Sequence, residues 1–173
     1  TYNTSASDIS IIGGFPADIN IGADSKPDKY KTIFSADLKG NDKVSIIRTT
    51  DGIDSVTFAN REDNASVILS MGNAKNTLSK SRLSGLVFEG ATGIAVSLSG
   101  DYTVDHCEFK YNKDGLYLQT PLNIDLSKSY FHDNKIAYRK SRNEKTVTNE
   151  TVDGCTFENN YCSILQSGIE RLE

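Results

Sequence analysis

Five segments of this 173-residue chain end in phenylalanine after the same short pattern. They are IDSVTF (Ile53 to Phe58), LSGLVF (Leu83 to Phe88), VDHCEF (Val104 to Phe109), LSKSYF (Leu126 to Phe131) and VDGCTF (Val152 to Phe157). Each carries an aliphatic residue five places before the Phe, and Val, Leu, Cys or Ser two places before it. The Phe-to-Phe steps are 30, 21, 22 and 26 residues. In the last three units an Asn follows three places after the Phe: Asn112, Asn134 and Asn160. Self-similarity at such a period constrains the fold more than any other feature of a chain, because each unit must bury its apolar face against its neighbours.

The units alternate apolar and polar residues as strands do, and no segment sustains a helical 3.6-residue period. A step near 22 residues with loop insertions fits one turn of a solenoid. We therefore expect an all-β parallel β-helix of about six to seven rungs. Rungs would stack roughly 4.8 Å apart, with the phenylalanines in one column and the asparagines in an amide ladder at a turn, where Asn tolerates unusual backbone angles. In VDHCEF, Val104 breaks strict alternation, which places a bend inside the unit. Cys107 and Cys155 fall in one column two rungs apart, about 9–10 Å, too far for a disulfide. With Cys162 they make an odd, sparse set, read as buried apolar thiols without zinc spacing.

The first third is less regular. DISIIGGF (Asp8 to Phe15), KTIFSAD (Lys31 to Asp37) and KVSIIRTT (Lys43 to Thr50) read as strands, with Asp18 to Tyr30 as a loop leaving the stack. The expected organisation is one domain over 1–171. Residues 8–50 form irregular first rungs with a loop at 16–30, and residues 51–168 form the regular repeats. Leu172 and Glu173 read as a cloning remnant, and the chain as a piece of a longer protein. Net charge is −4, with no apolar run long enough for a membrane helix, so neither nucleic acid nor membrane insertion is expected.

IIGGFP, a loop, then KTIFSADLKGND resembles the opening of bacterial secreted and cell-surface right-handed β-helix proteins, whose typical start is a GGY/F-P turn, a variable loop and T-I/L-S-x-D. The later units resemble the repeats of the pectin-lyase-like superfamily, and the likeness runs from Asp8 to Gly168. It implies a right-handed solenoid and an extracellular or cell-surface location. That superfamily hosts lyases, hydrolases, adhesins and phage spikes, so the fold alone does not select a function.

VDHC, DGL (Asp114 to Leu116) and YFHDN (Tyr130 to Asn134) resemble a pectate lyase run. Carried over, Asp105 and Asp114 would lie near a calcium cleft, the one cofactor this resemblance suggests, and His106 would be structural. The pattern departs from the family at Leu118, where a second Asp is expected, and the family's arginine-proline-arginine segment is absent. His106 and His132, the only histidines, have no recognisable nucleophile beside them.

The acidic chain turns basic in KIAYRKSRNEK, with Lys135, Arg139, Lys140, Arg142 and Lys145 against Glu144. Arginine suits carboxylate and sulfate through its planar fork, and Tyr117 and Tyr138 could stack on a sugar. The candidate ligand residues are therefore Tyr117, Tyr138, Arg139, Lys140 and Arg142. With one turn length, Ala95, Tyr117, Arg139 and Leu165 form an outward column; with a shorter turn, Tyr138 points inward level with Leu118.

Two functions follow. One is a non-catalytic surface module for adhesion or binding of polysaccharide or host glycan, carried among other domains of a parent protein. The alternative is a polysaccharide lyase acting on uronates, with Asp114, Arg139 and Lys140 as its suspected machinery; no cofactor is expected, and calcium at Asp105 and Asp114 is the one candidate.

Overall fold

A computed structural model describes residues 2–4, 9–18, 23–72, 80–141 and 149–167. The strands are β1 (Tyr2–Thr4), β2 (Ser10–Ile12), β3 (Thr32–Ser35), β4 (Lys43–Thr49), β5 (Gly52–Ala59), β6 (Val67–Gly72), β7 (Lys80–Ser84) and β8 (Leu86–Glu89). They continue as β9 (Ile94–Asp105), β10 (Glu108–Lys110), β11 (Asp114–Ser127), β12 (Tyr130–His132), β13 (Ile136–Ser141), β14 (Asn149–Asp153), β15 (Thr156–Glu158) and β16 (Cys162–Ser167). All pairings are parallel except β4 with β5.

Three faces result. The first stacks β1, β6, β9, β11, β13 and β16. The second uses the far ends of β9 and β11, which pair with β7 and β14, while β2 pairs with β7. The third is a five-stranded sheet in the order β15-β12-β10-β8-β3. Two columns of left-handed turns bound the third face. Gly85, His106, Lys128 and Gly154 lie three residues before each Phe, with φ of 66°, 51°, 47° and 60°. Gly90, Tyr111, Asp133 and Asn159 lie two residues after it, with φ of 82°, 58°, 55° and 55°. The bend expected inside VDHCEF is the turn at His106.

Phe34, Phe88, Phe109, Phe131 and Phe157 stack face to face, with centroids 5.5, 5.3, 4.6 and 4.9 Å apart. Around them Leu83, Val104, Leu116 and Leu126 are fully buried. The amide ladder runs as expected: Asn112 Nδ2 donates to Asn134 Oδ1 at 3.1 Å, and Asn134 Nδ2 donates to Asn160 Oδ1 at 3.0 Å. The same amides donate to the carbonyls of Phe88, Phe109 and Phe131, so each ties its turn to the rung beneath. The left-handed angle belongs to the residue before each ladder Asn, not to the Asn itself. The three cysteines are free, and Ser129 separates Cys107 from Cys155 in their column.

The structure corrects three expectations. Phe58 is absent from the aromatic column, and Phe34 of KTIF takes its place. IDSVTF belongs to the β4–β5 antiparallel hairpin, because Thr50 and Asp51 turn the chain back and no left-handed residue stands three places before its Phe. The third sheet therefore stacks five strands among the described residues, beside six on the first face. Finally, the described part of the 16–30 loop folds back onto the stack: Lys26 N donates to Gly14 O at 2.6 Å, and Ser25 Oγ donates to Gly13 O at 2.6 Å.

The hairpin lies along the turn column between the third and first faces. Arg61, at its base, forms an ion pair with Asp42 at 3.0 Å and donates to the carbonyls of Ala91 and Tyr111 on successive rungs. Its guanidinium also covers the Phe58 ring at 4.2 Å. Asn64 Nδ2 adds bonds to Asp42 and to Gly90 O. At the far end Arg48 Nη1 donates to Asn159 Oδ1 at 2.6 Å on the last described rung. These contacts make the hairpin a wall beside the stack.

Candidate glycan-binding surface

The expected strip on the first face exists in part. Tyr117, Arg139 and Leu165 share one column. Ser97, rather than Ala95, continues it, because β9 and β11 pair with Tyr117 opposite Ser97. Tyr138 is 2% exposed and points inward, which removes it from the surface. It lies level with Leu116, not Leu118. Its hydroxyl donates to Glu150, and burial, then that bond, push its pKa upward.

Arg139 on β13 reaches across to Asp114 on the neighbouring β11, Nη2 to Oδ2 at 3.0 Å. The Asp114 side chain is 5% exposed, and burial raises its pKa against the charges of Arg139, Lys113 and Lys135. Lys140 is ion-paired with Glu150, which ties it to the same carboxylate as Tyr138. Arg142 lies outside the described residues. Of the suspected residues, Arg139 and Asp114 are thus brought together, while Lys140 is held one residue further on by a different acid.

Asp105 and Asp114 do not share a site. Asp105 ends β9, Asp114 begins β11, and the whole of β10 runs between them. Both oxygens of Asp105 are taken: Arg82 Nε and Nη2 donate at 2.8 and 3.1 Å, Ser84 Oγ donates at 2.8 Å, and His106 Nδ1 sits 3.0 Å away. Burial would raise this carboxyl, but the bonds from Arg82, His106 and Ser84 outweigh it and hold the pKa at about 2. Among the described residues no group of three or more His, Cys, Asp or Glu is gathered as a metal would require.

A second surface was missed in sequence. Lys113 and Lys135 each follow a ladder asparagine, so the ladder stacks them on successive rungs: Ile136 N donates to Lys113 O at 2.8 Å, and Cys162 N to Lys135 O at 2.9 Å. Tyr161, 53% exposed, continues the column. Both lysines are exposed and neither has an ion pair among the described residues. They line a groove of about 360 Å³ with Thr92 on the stack and Phe58 and Arg61 on the hairpin wall. The signal was legible as Asn-Lys, Asn-Lys, Asn-Tyr in three consecutive units. The wall was not, because IDSVTF resembles a rung.

The stacked parallel sheets and their turn columns are those of a solenoid, and residues 28–170 match the family model described as right handed beta helix region. The chain belongs to the right-handed β-helix family. No curated protein and no solved structure matches it. Family membership gives this β-helix its architecture; its ligand has to be argued from its own grooves.

Proposed function

We propose that this β-helix is a non-catalytic extracellular module that binds acidic polysaccharide in the groove between the hairpin and the stack. The observation that carries the reading is the pair of exposed lysines, Lys113 and Lys135, without an ion pair among the described residues and set one rung apart along the axis. Successive rungs repeat at roughly 4.8 Å, so the column presents regularly spaced positive charge to a polymer with regularly spaced anions. Tyr161 supplies an exposed aromatic face at one end of the column. Arg139 sits next to this groove through Asp114, which directly follows Lys113.

The same geometry argues against a lyase. A general base must be free to take a proton at neutral pH. Of the suspected machinery, Asp114 and Arg139 are paired with each other and Lys140 is held as an ion pair with Glu150. In a parent protein the module would sit at the bacterial surface beside other domains and present the groove to host or cell-surface glycan.

Calorimetry with polygalacturonate, a sulfated glycan and neutral dextran tests the reading. We expect salt-sensitive binding of the acidic polymers, none of dextran, and at least a tenfold loss in the double variant Lys113→Ala, Lys135→Ala. Equal binding of dextran, or unchanged affinity in the double variant, would overturn it. Appearance of unsaturated uronate in the ultraviolet would establish the lyase instead.

A further inference from the structure

The Asp105–His106 pair that resembles a lyase fragment opens onto a cavity at the opposite corner of the third face. This cavity of about 510 Å³ has Arg82, Ser84, Asp105 and His106 on the stack side and residues 25–29 on the other. The loop wall is built in. Pro27 seats against Gly14 and Gly85, where any added Cβ would collide with or press on the proline. The turn is closed by Lys29 N and Tyr30 N, both donating to Lys26 O. Lys26 and Lys29 are thereby set at the rim, exposed and without an ion pair among the described residues.

On the floor, Asp105 orients two donors rather than facing a ligand itself. It holds the Arg82 guanidinium through Nε and Nη2, leaving Nη1 without a partner among the described residues. It accepts from His106 Nδ1, and an ionised carboxylate at that nitrogen leaves Nε2 of a neutral ring as an acceptor. His106 also occupies a left-handed turn at φ 51°, the position that is glycine on two of the other rungs, so its imidazole is presented from a fixed backbone. Among the described residues lining the cavity, Lys26, Lys29 and Arg82 outnumber the acids Asp28 and Asp105, and Lys29 Nζ also lies 4.9 Å over the Tyr30 ring, so the cavity is positive on a chain of net charge −4.

We propose that this cavity binds a hydroxylated carboxylate of sugar size, such as a single uronic acid unit. Its carboxylate would sit on Arg82 Nη1 and the two lysines, and a hydroxyl would donate to His106 Nε2. A pocket of this size with a few convergent polar groups suits a small ligand, and a planar guanidinium already braced by a carboxylate loses little entropy on binding another. The site is independent of the lysine groove beneath the hairpin.

The test is calorimetric titration of the whole chain with glucuronate, glucose and inorganic sulfate. We expect saturable glucuronate binding, no glucose binding and sulfate binding at least tenfold weaker. Lys26→Ala with Lys29→Ala should weaken glucuronate at least tenfold. His106→Asn, which keeps a residue tolerant of the left-handed turn, should weaken it severalfold, while Lys113→Ala with Lys135→Ala should leave it unchanged. Thermal unfolding of each variant at the wild-type temperature would exclude loss of fold. Absent binding, glucose or sulfate as good as glucuronate, or indifference to both the lysine and histidine variants would overturn the proposal.

Discussion

LSKSYF and IDSVTF look alike, yet one is a rung of the stack and the other is half of a hairpin. The comparison is informative because the two segments agree in so much. Both run into a left-handed residue two places after the Phe, Asp133 at φ 55° and Asn60 at φ 63°. They differ three places before it. Lys128 takes φ 47° and bends the chain around the corner, whereas β5 runs straight through Ser55 and pairs with β4. They differ again three places after it, where the rung has the ladder amide Asn134 and the hairpin has Arg61. The three rungs of Phe109, Phe131 and Phe157 each combine two left-handed corners with an amide tie. One corner with an arginine makes a strand that docks on the outside.

The sharpest way to break this comparison is to truncate the two phenylalanines. Phe109 is 0% exposed between Phe88 and Phe131, so Phe109→Ala should cost about 3–5 kcal/mol in denaturant unfolding. Phe58 is half-buried beneath Arg61, and Phe58→Ala should cost roughly 1 kcal/mol. Equal losses would mean that the hairpin is as much part of the core as a rung.

The residues three places after each Phe come next. Asn134→Ala removes the acceptor of Asn112 N and Nδ2 and the donor to Phe109 O, all buried, so on the order of 3 kcal/mol should be lost. Arg61→Ala should instead free the hairpin locally. Amide exchange over 43–59 should speed up while exchange in β10 and β12 stays slow.

The corner that the hairpin lacks carries a pH signature. Asp105 titrates near 2 in the fold and near 3.9 when unfolded. A depressed carboxyl stabilises above its unfolded pKa, and that contribution disappears as pH falls from about 4 through about 2. It amounts to about 2 kcal/mol. Asp105→Asn should flatten that part of the acid limb, as read by denaturant midpoints at successive pH values. His132 has the opposite sign. Burial lowers its pKa, but Glu108 and Asp133 more than offset this and raise it. Its contribution is therefore complete below about 6.5 and lost as pH climbs through its higher folded value.

The smallest stability change belongs to the proposed groove. Lys113→Ala with Lys135→Ala should shift unfolding by under about 0.5 kcal/mol, since both side chains are exposed and have no ion pair among the described residues, while abolishing most polyanion affinity. A large stability loss would mean the lysines serve the fold.

The sequence by itself determined that the chain stacks: a repeated Phe buried in each unit and an Asn that can bond both to its neighbour amide and to the carbonyl below admit few arrangements other than a parallel solenoid. It also determined that Cys107 and Cys155 stay apart, since register is a matter of counting. Only the tertiary structure decided which Phe segment leaves the stack, because left-handed turns at His106 and Lys128 are not announced by residue type as those at Gly85 and Gly154 are. It decided that Tyr138 faces inward, since one turn length reverses the side of every following residue. It also decided where the grooves lie, because the hairpin that walls one and the Pro27 loop that walls the other are held by contacts between residues distant in the chain: Arg61 with Tyr111, Arg48 with Asn159, and Pro27 with Gly85.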